Sequence, residues 1–159
     1  MKTILVAVDS SSISELVLKE ATALATAAKG RIVLLTVVQP PLITSEYTPM
    51  IENIGEITAA GEKAAARHLL AIQERLQALG LTVETVQRTG SPVTHILSGA
   101  DEHKADYIVM GSHGHTAFYD LLVGSTTHGV LLRAPCPVVI VPPQDKKSRR
   151  KKTSGAPAA

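Results

Sequence analysis

The sequence predicts a doubly wound α/β fold, with one parallel sheet of five strands and helices on both faces. Three observations carry that reading. Apolar runs of strand length alternate with amphipathic helical stretches along the whole chain. All but the third of these runs are continuously apolar, which suits helices packed on a parallel sheet. The interior must also be aliphatic, because hydrophobic residues make up 45% of the chain but aromatic ones only 3%, with no Trp. At 159 residues the chain is long enough to bury such a core as one domain.

The elements follow in order. Residues 3–8 form the first aliphatic run. Ser12-Ile13-Ser14-Glu15 matches a capping box, in which a hydroxyl and a carboxylate satisfy the first free amides of a helix. The helix behind it places Val17, Ala21, Leu24 and Ala28 on one face and stops near Gly30. The second strand is predicted over 31–38, around Ile32-Val33-Leu34-Leu35. Pro40-Pro41 open a stretch to about residue 54 without periodicity, which reads as a loop or lid. A long helix over 56–79 carries Ala65, Leu69, Ile72, Leu76 and Leu79 along one stripe and ends at Gly80.

Residues 81–87 form a third, less apolar strand, which suits a sheet edge. Ser91 as N-cap and Pro92 at the first helical position begin a helix whose inner face is Val93, Ile96, Leu97 and Ala100. The fourth strand spans 106–110. A short helical piece over 118–122 precedes a last helix over 125–133, which Pro135 terminates. Val138-Val139-Ile140-Val141 is the fifth strand. Pro142-Pro143 close a domain of residues 1–143, and residues 144–159 read as a disordered basic tail.

Charge and composition exclude several classes. The formal charge is +2 overall, but the segment 145–159 holds +5, leaving −3 on residues 1–144. A net-acidic body is a poor nucleic-acid binder, since phosphate neutralisation needs clustered Lys and Arg. The tail reads as a solubilising or weakly anion-attracting extension. No apolar run approaches the ~20 residues of a membrane span, and the N-terminal run is too short for a signal peptide. The single Cys136 excludes an internal disulfide framework. The expectation is a soluble cytoplasmic protein.

Ligands of such sheets sit at the C-terminal ends of the strands, where the winding reverses. If the first and fourth strands are neighbours there, Asp9 and Gly111 share a crevice. After the fourth strand comes Gly111-Ser112-His113-Gly114, and nine residues later Gly124-Ser125-Thr126-Thr127. Glycines let a backbone turn sharply and approach a ligand, and amides with hydroxyls at a helix start suit phosphate. The chain looks built to hold a nucleotide.

That spacing, Gly111-x2-Gly114-x9-Gly124-Ser125, resembles the ATP-binding motif of the universal stress protein family. Asp9 at the end of the first strand and the closing Arg133-Ala134-Pro135-Cys136-Pro137-Val138 fit as well, and the resemblance covers about residues 1–142. It implies an adenine-nucleotide α-hydrolase-like sheet of strand order 3-2-1-4-5. It implies that Asp9 accepts from ribose hydroxyls and that the Val37 backbone meets the adenine edge. Gly111, His113 and Gly114 would wrap the phosphates, with Gly124, Ser125, Thr126 and Thr127 donating to them. The implied ligand is ATP, with ADP, AMP or cyclic AMP as alternatives and Mg²⁺ carried on the phosphates. A homodimer through the last strand, Val138 to Val141, is also implied, with a role as a nucleotide-dependent regulator in stress response and an unknown protein partner.

Duller readings accompany these. Asp9 could cap the first helix, and the glycines could serve turns alone. Ser10, Ser11 and Ser12 suit turns better than ligation. His113, His115 and His128 suggest zinc, but without a committed Cys or Asp nearby they fit better as imidazoles near phosphate, and no metal residue is assigned. His68, His95 and His103 read as surface or packing residues, and Cys136 as a small apolar one. A P-loop lysine, a G-x-G-x-x-G turn and the acid cluster of a receiver domain are all missing from their places. The remaining rival is an enzyme, a slow ATPase or nucleotidyl transferase. No lysine or arginine lies between Ala105 and Leu132 to neutralise a transferring phosphoryl group. No catalytic residue is therefore assigned.

Overall fold

In the computed structural model, residues 1–41, 53–113 and 123–143 are described. Five strands, β1 (Thr3–Ala7), β2 (Arg31–Val38), β3 (Val83–Thr89), β4 (Tyr107–Gly111) and β5 (Val138–Val141), form one sheet of order β3-β2-β1-β4-β5. All neighbours pair in parallel. The helices between them are α1 (Ser14–Ala27), α2 (Ile54–Gln77), α3 (Pro92–Glu102) and α4 (Ser125–Leu131). The doubly wound fold and its strand order are as expected. The loop-or-lid stretch beyond Pro41, the helical piece over 118–122, Gly114 and the basic tail lie outside the described residues.

The apolar runs are continuous because each is shared between two cores. Ile4, Val6, Ile32, Leu34 and Val109 point to the layer formed by α1 and α2. Leu5, Val33, Leu35, Ile108 and Met110, one residue out of phase, point to the layer that includes α3 and Val130 of α4. The central strand β1 is wholly buried from Thr3 to Val6. It is hydrogen-bonded on both sides, to β2 and to β4. Everything else is arranged about it.

Several boundaries differ from the sequence reading, each for a local reason. The capping box at Ser12 does not form: α1 begins with Ile13 as N-cap and no side chain caps it. Ser14, the second hydroxyl of that tetrapeptide, instead turns back to Asp9. The third strand starts two residues later than expected and extends to Thr89, because it follows β2 in register to Val38↔Thr89; it does lie at the sheet edge. In α2 only Leu69, Ile72 and Leu76 are buried, while Leu79, past the helix end, is 66% exposed. Burying three such side chains contributes roughly 1.5–3 kcal/mol each, so α2 is anchored through its C-terminal half. Its N-terminal half is held by polar contacts to β3, where Thr89 Oγ1 donates to Glu62 Oε1 at 2.6 Å and Gln87 Nε2 to the Glu62 carbonyl at 3.1 Å. Ser91 and Pro92 begin α3 as expected, although the Ser91 hydroxyl makes no capping bond.

At the opposite rim from the C-terminal strand ends, Asp106 ties β4 to β1. Its carboxylate accepts from Lys2 Nζ at 2.7 Å and from the Thr3 N–H at 2.8 Å. The Lys2 hydrogen bond, reinforced by the Thr3 amide, holds this carboxyl below its ordinary value of 3.8. A depressed carboxyl stabilises the fold above its unfolded pKa, and that contribution is lost as pH falls through the folded one. Asp106→Asn should therefore lower Tm by a constant amount above about pH 5. The gap to the wild type should close progressively below about pH 4, as seen in thermal melts across pH. A gap that is flat down to pH 2 would remove Asp106 from acid sensitivity.

Candidate functional site

The site begins with unequal strand lengths. β1 ends at Ala7, which pairs with Leu35, and at Val6, which pairs with Val109. Its neighbours run on: β2 to Val38 and β4 to Gly111. A notch opens above β1, with Val8 and Asp9 at its floor, Val37 on one side and Gly111 on the other. The Val8 N–H still donates to Leu35 O at 2.9 Å, and Thr36 Oγ1 closes on the Val8 carbonyl at 2.6 Å. The Gly90 N–H donates to Val38 O at 2.9 Å. Odd residues of β2 thus address β1 and even ones β3. Val37 is odd and lies past the end of β1, so its N–H and C=O are directed into the notch.

The notch is the centre of a cleft of 1110 Å³ that crosses the C-terminal edge of the sheet. Asp9, Val37, Gly111, His113, Gly124, Ser125, Thr126 and Thr127 all line it. Eight of the nine expected site residues are therefore brought together, and Gly114 lies outside the described residues. His128 joins them. Among the described residues no group of three His, Cys, Asp or Glu could hold a metal ion.

Each rim is fixed by its own hydrogen bonds. Asp9 Oδ1 accepts from the Ser11 N–H at 3.0 Å, from the Ser11 hydroxyl, and from Ser14 Oγ at 3.0 Å. Ser14 Oγ also lies 2.7 Å from the Asp9 carbonyl and accepts from the Asp9 N–H at 3.2 Å. The carboxylate is thus part of the turn into α1, and all these side-chain contacts fall on one of its two oxygens. On the other rim, Ser112 is buried and its hydroxyl lies 2.9 Å from His113 Nδ1. The Gly124 N–H donates to Ser112 O at 2.8 Å. The first intrahelical bond of α4 runs from the His128 N–H to Gly124 O, so the amides of Ser125, Thr126 and Thr127 precede it. Thr127 differs from the expectation at its side chain. It is 2% exposed, and its hydroxyl donates to the Gly111 and Ser112 carbonyls at 2.9 and 3.2 Å. Only its amide is placed like those of a donor to a ligand.

The glycines are explained first by the protein itself. A Cβ on Gly111 would stand 2.9 Å from Cγ2 of Ile13 and 3.2 Å from the His113 carbonyl. One on Gly124 would stand 3.3 Å from the Ser112 carbonyl. Both let backbone segments close on one another at the cleft wall.

Sequence reasoning missed the far wall. Gly61, Ala64, Ala65 and His68 of α2, with Pro92 and Ile96 of α3, also line the cleft. The signal was available: these α2 positions recur at helical spacing and continue the Leu69–Ile72–Leu76 stripe, but with small side chains. His68, read as a surface or packing residue, is exposed yet faces the cleft. Cys136 lies outside the site, partly buried against the α3 layer, and burial pushes its thiol above the ordinary range.

Fold and cleft together define a doubly wound α/β protein with a cleft at the switch point of its sheet. Residues 1–142 match the family model described as Universal stress protein family; this chain belongs to that family. It is 31% identical over 143 residues to universal stress protein YxiE of Bacillus subtilis, covering 86% of this chain and 96% of that one. With a universal stress protein of Thermus aquaticus the identity is 34% over 145 residues, covering 88% and 98%. Among solved structures, universal stress protein UspA from Lactobacillus plantarum superposes with a TM-score of 0.78 at 27% identity, covering 88% and 97%. A universal stress protein in complex with cAMP superposes with a TM-score of 0.65 at 26% identity, covering 88% and 95%.

The packing account of Gly111 has its own test. Gly111→Ala should cost about 1–3 kcal/mol by overpacking against Ile13. The penalty should shrink when Ile13→Ala is already present, in a double-mutant cycle read by denaturant unfolding. Equal penalties in both backgrounds would mean that Ile13 is not what excludes the side chain.

Proposed function

We propose that this protein binds an adenine nucleotide in the notch above β1, ATP foremost, and acts as a nucleotide-dependent regulator rather than a rapid catalyst. The observation that carries this reading is the convergence of three kinds of group on one cleft. The Asp9 carboxylate suits a ribose diol, since a charged acceptor makes strong hydrogen bonds to hydroxyls. The Val37 N–H and C=O suit the donor–acceptor edge of adenine. The backbone of Gly111 to His113, with the amides of Ser125 to Thr127 and the Ser125 and Thr126 hydroxyls, suits phosphate oxygens. The complex of a similar protein with cAMP supports the same ligand class. Mg²⁺ would arrive with the phosphates, with the Ser125 hydroxyl as a side-chain candidate to hold it. Occupancy would then favour one conformation or partner contact over another.

Native mass spectrometry of the freshly purified protein, followed by calorimetric titration with ATP, ADP, AMP and cyclic AMP, tests the ligand class directly. Asp9→Ala should weaken ATP about ten- to a hundredfold, the worth of charge-assisted hydrogen bonds. It should leave 2′,3′-dideoxy-ATP nearly unaffected. Equal losses for both nucleotides would take Asp9 off the ribose, and no binding by the wild type would end the nucleotide reading.

The reading includes residues 1–143 as the binding domain, a cytoplasmic setting, and a homodimer paired along β5. Among the described residues β5 is bonded only to β4 and ends the sheet. The Ile108 N–H donates to Pro137 O and the Ser112 N–H to Val141 O. Val138 and Ile140 therefore turn their N–H and C=O groups outward, as an open edge available to a second copy. Among the described residues no helix is long and apolar enough to cross a membrane. Ile140→Pro deletes an outward donor without touching a bond to β4. It should convert a dimer to a folded monomer by light scattering, and a dimer that survives would place the contact elsewhere.

A further inference from the structure

Thr127 is buried, carries a hydroxyl and sits on the cleft wall, yet that hydroxyl does not face a ligand. Its proton is shared between two consecutive carbonyls of the β4 exit, Gly111 O at 2.9 Å and Ser112 O at 3.2 Å. Those carbonyls belong to the segment that would wrap the phosphates. Ser112 is clamped from three directions. Its N–H donates to Val141 of β5 at 2.9 Å, and its carbonyl accepts from the Gly124 N–H at 2.8 Å and from Thr127. The peptide bonds here are trans, and in a trans peptide the N–H points opposite to the C=O. Holding the Ser112 carbonyl therefore also holds the plane of the peptide that carries the His113 N–H. α4 has only seven residues, too few to be stable without tertiary ties, and the same hydroxyl ties its first turn to the strand.

We propose that Thr127 is the positioning residue of the phosphate subsite. Its hydroxyl locks the β4 exit and the start of α4 into one rigid wall, so that the amides on both segments meet the phosphates in a fixed arrangement. The inference rests on the nucleotide reading above and goes beyond it. It takes the Thr127 side chain off the ligand and makes phosphate affinity depend on a contact within the protein.

The test is calorimetric titration of the full chain with ATP and with adenosine, for the wild type, Thr127→Val and Thr127→Ser. Valine keeps the volume and removes the donor, leaving two carbonyls without it. ATP binding should weaken on the order of tenfold in Thr127→Val, while adenosine changes by less than about twofold. Thr127→Ser, which keeps the hydroxyl, should bind ATP like the wild type. If Thr127→Val does not fold, Thr127→Ala replaces it, and the ratio of ATP to adenosine affinity is read on the folded material. Parallel losses for ATP and adenosine, or none for either, would show a merely structural threonine and overturn the proposal. So would failure of serine to restore ATP affinity. A wild type that prefers ATP no more than adenosine would overturn the phosphate subsite itself, a result distinct from a preference that survives the loss of the hydroxyl.

Discussion

The structure depends on a strand that stops early. β1 is the most buried element of the sheet and pairs on both sides, so it holds both layers in place. It ends before either neighbour does: β2 continues three residues past the partner of Ala7, and β4 two residues past the partner of Val6. The backbone groups that would have paired with a longer β1 are left facing a notch. In a parallel sheet such groups must find partners in side chains, water or a ligand. Thr36 Oγ1 takes the Val8 carbonyl and the Ser14 hydroxyl takes Asp9, but the Val37 groups remain directed into the cleft. The opening follows from strand register, and side chains only trim it.

Hydroxyl side chains then divide between two tasks. Ser11, Ser14, Thr36 and Thr127 bind the protein's own turns and carbonyls and shape the walls. Ser125 and Thr126 sit at the first turn of α4 on the cleft. The carboxylate of Asp9 stands between the two groups: one oxygen receives the turn's donors, which fixes the rotamer in which the residue lines the cleft. Holding a turn and accepting from a ligand are compatible for one residue, because a carboxylate has two oxygens and several acceptor directions.

How much of this was legible in the sequence follows from what each signal encodes. Continuous aliphatic runs report burial on both faces, so four of the strands could be read from them, β2 and β5 to the residue, and the alternating third as an edge strand. Boundaries set by tertiary pairing could not. β3 begins at Val83 rather than at Leu81 because its register follows β2, and Leu81 packs against the α1 and α2 layer from outside the strand. The cap of α1 was misread because Ser12 and Ser14 are equivalent in a pattern, while only Ser14 is placed to reach Asp9. In the cleft, the described residues of the motif lie together. The α2 wall went unread because Gly61, Ala64 and Ala65 carry no chemistry, only the absence of bulk. The direction of the Thr127 hydroxyl is not legible, because residue identity does not tell which way a hydroxyl turns.

These misreadings share a cause that bears on what a glycine motif means. Where a ligand is to be held by backbone amides, its chemistry leaves no direct mark on side-chain identity. What the sequence carries instead are the residues that force the backbone into place. Gly111 admits Ile13, Gly124 admits the Ser112 carbonyl, and Thr127 pins the Gly111 and Ser112 carbonyls. Each would be needed for the wall to close even if no ligand ever bound. Gly111, Gly124 and Thr127 are therefore a record of packing among β4, α1 and α4, beside which the first turn of α4 lines the cleft. A chain could keep Gly111 and Gly124 and still lose the tie between β4 and α4 by losing one hydroxyl.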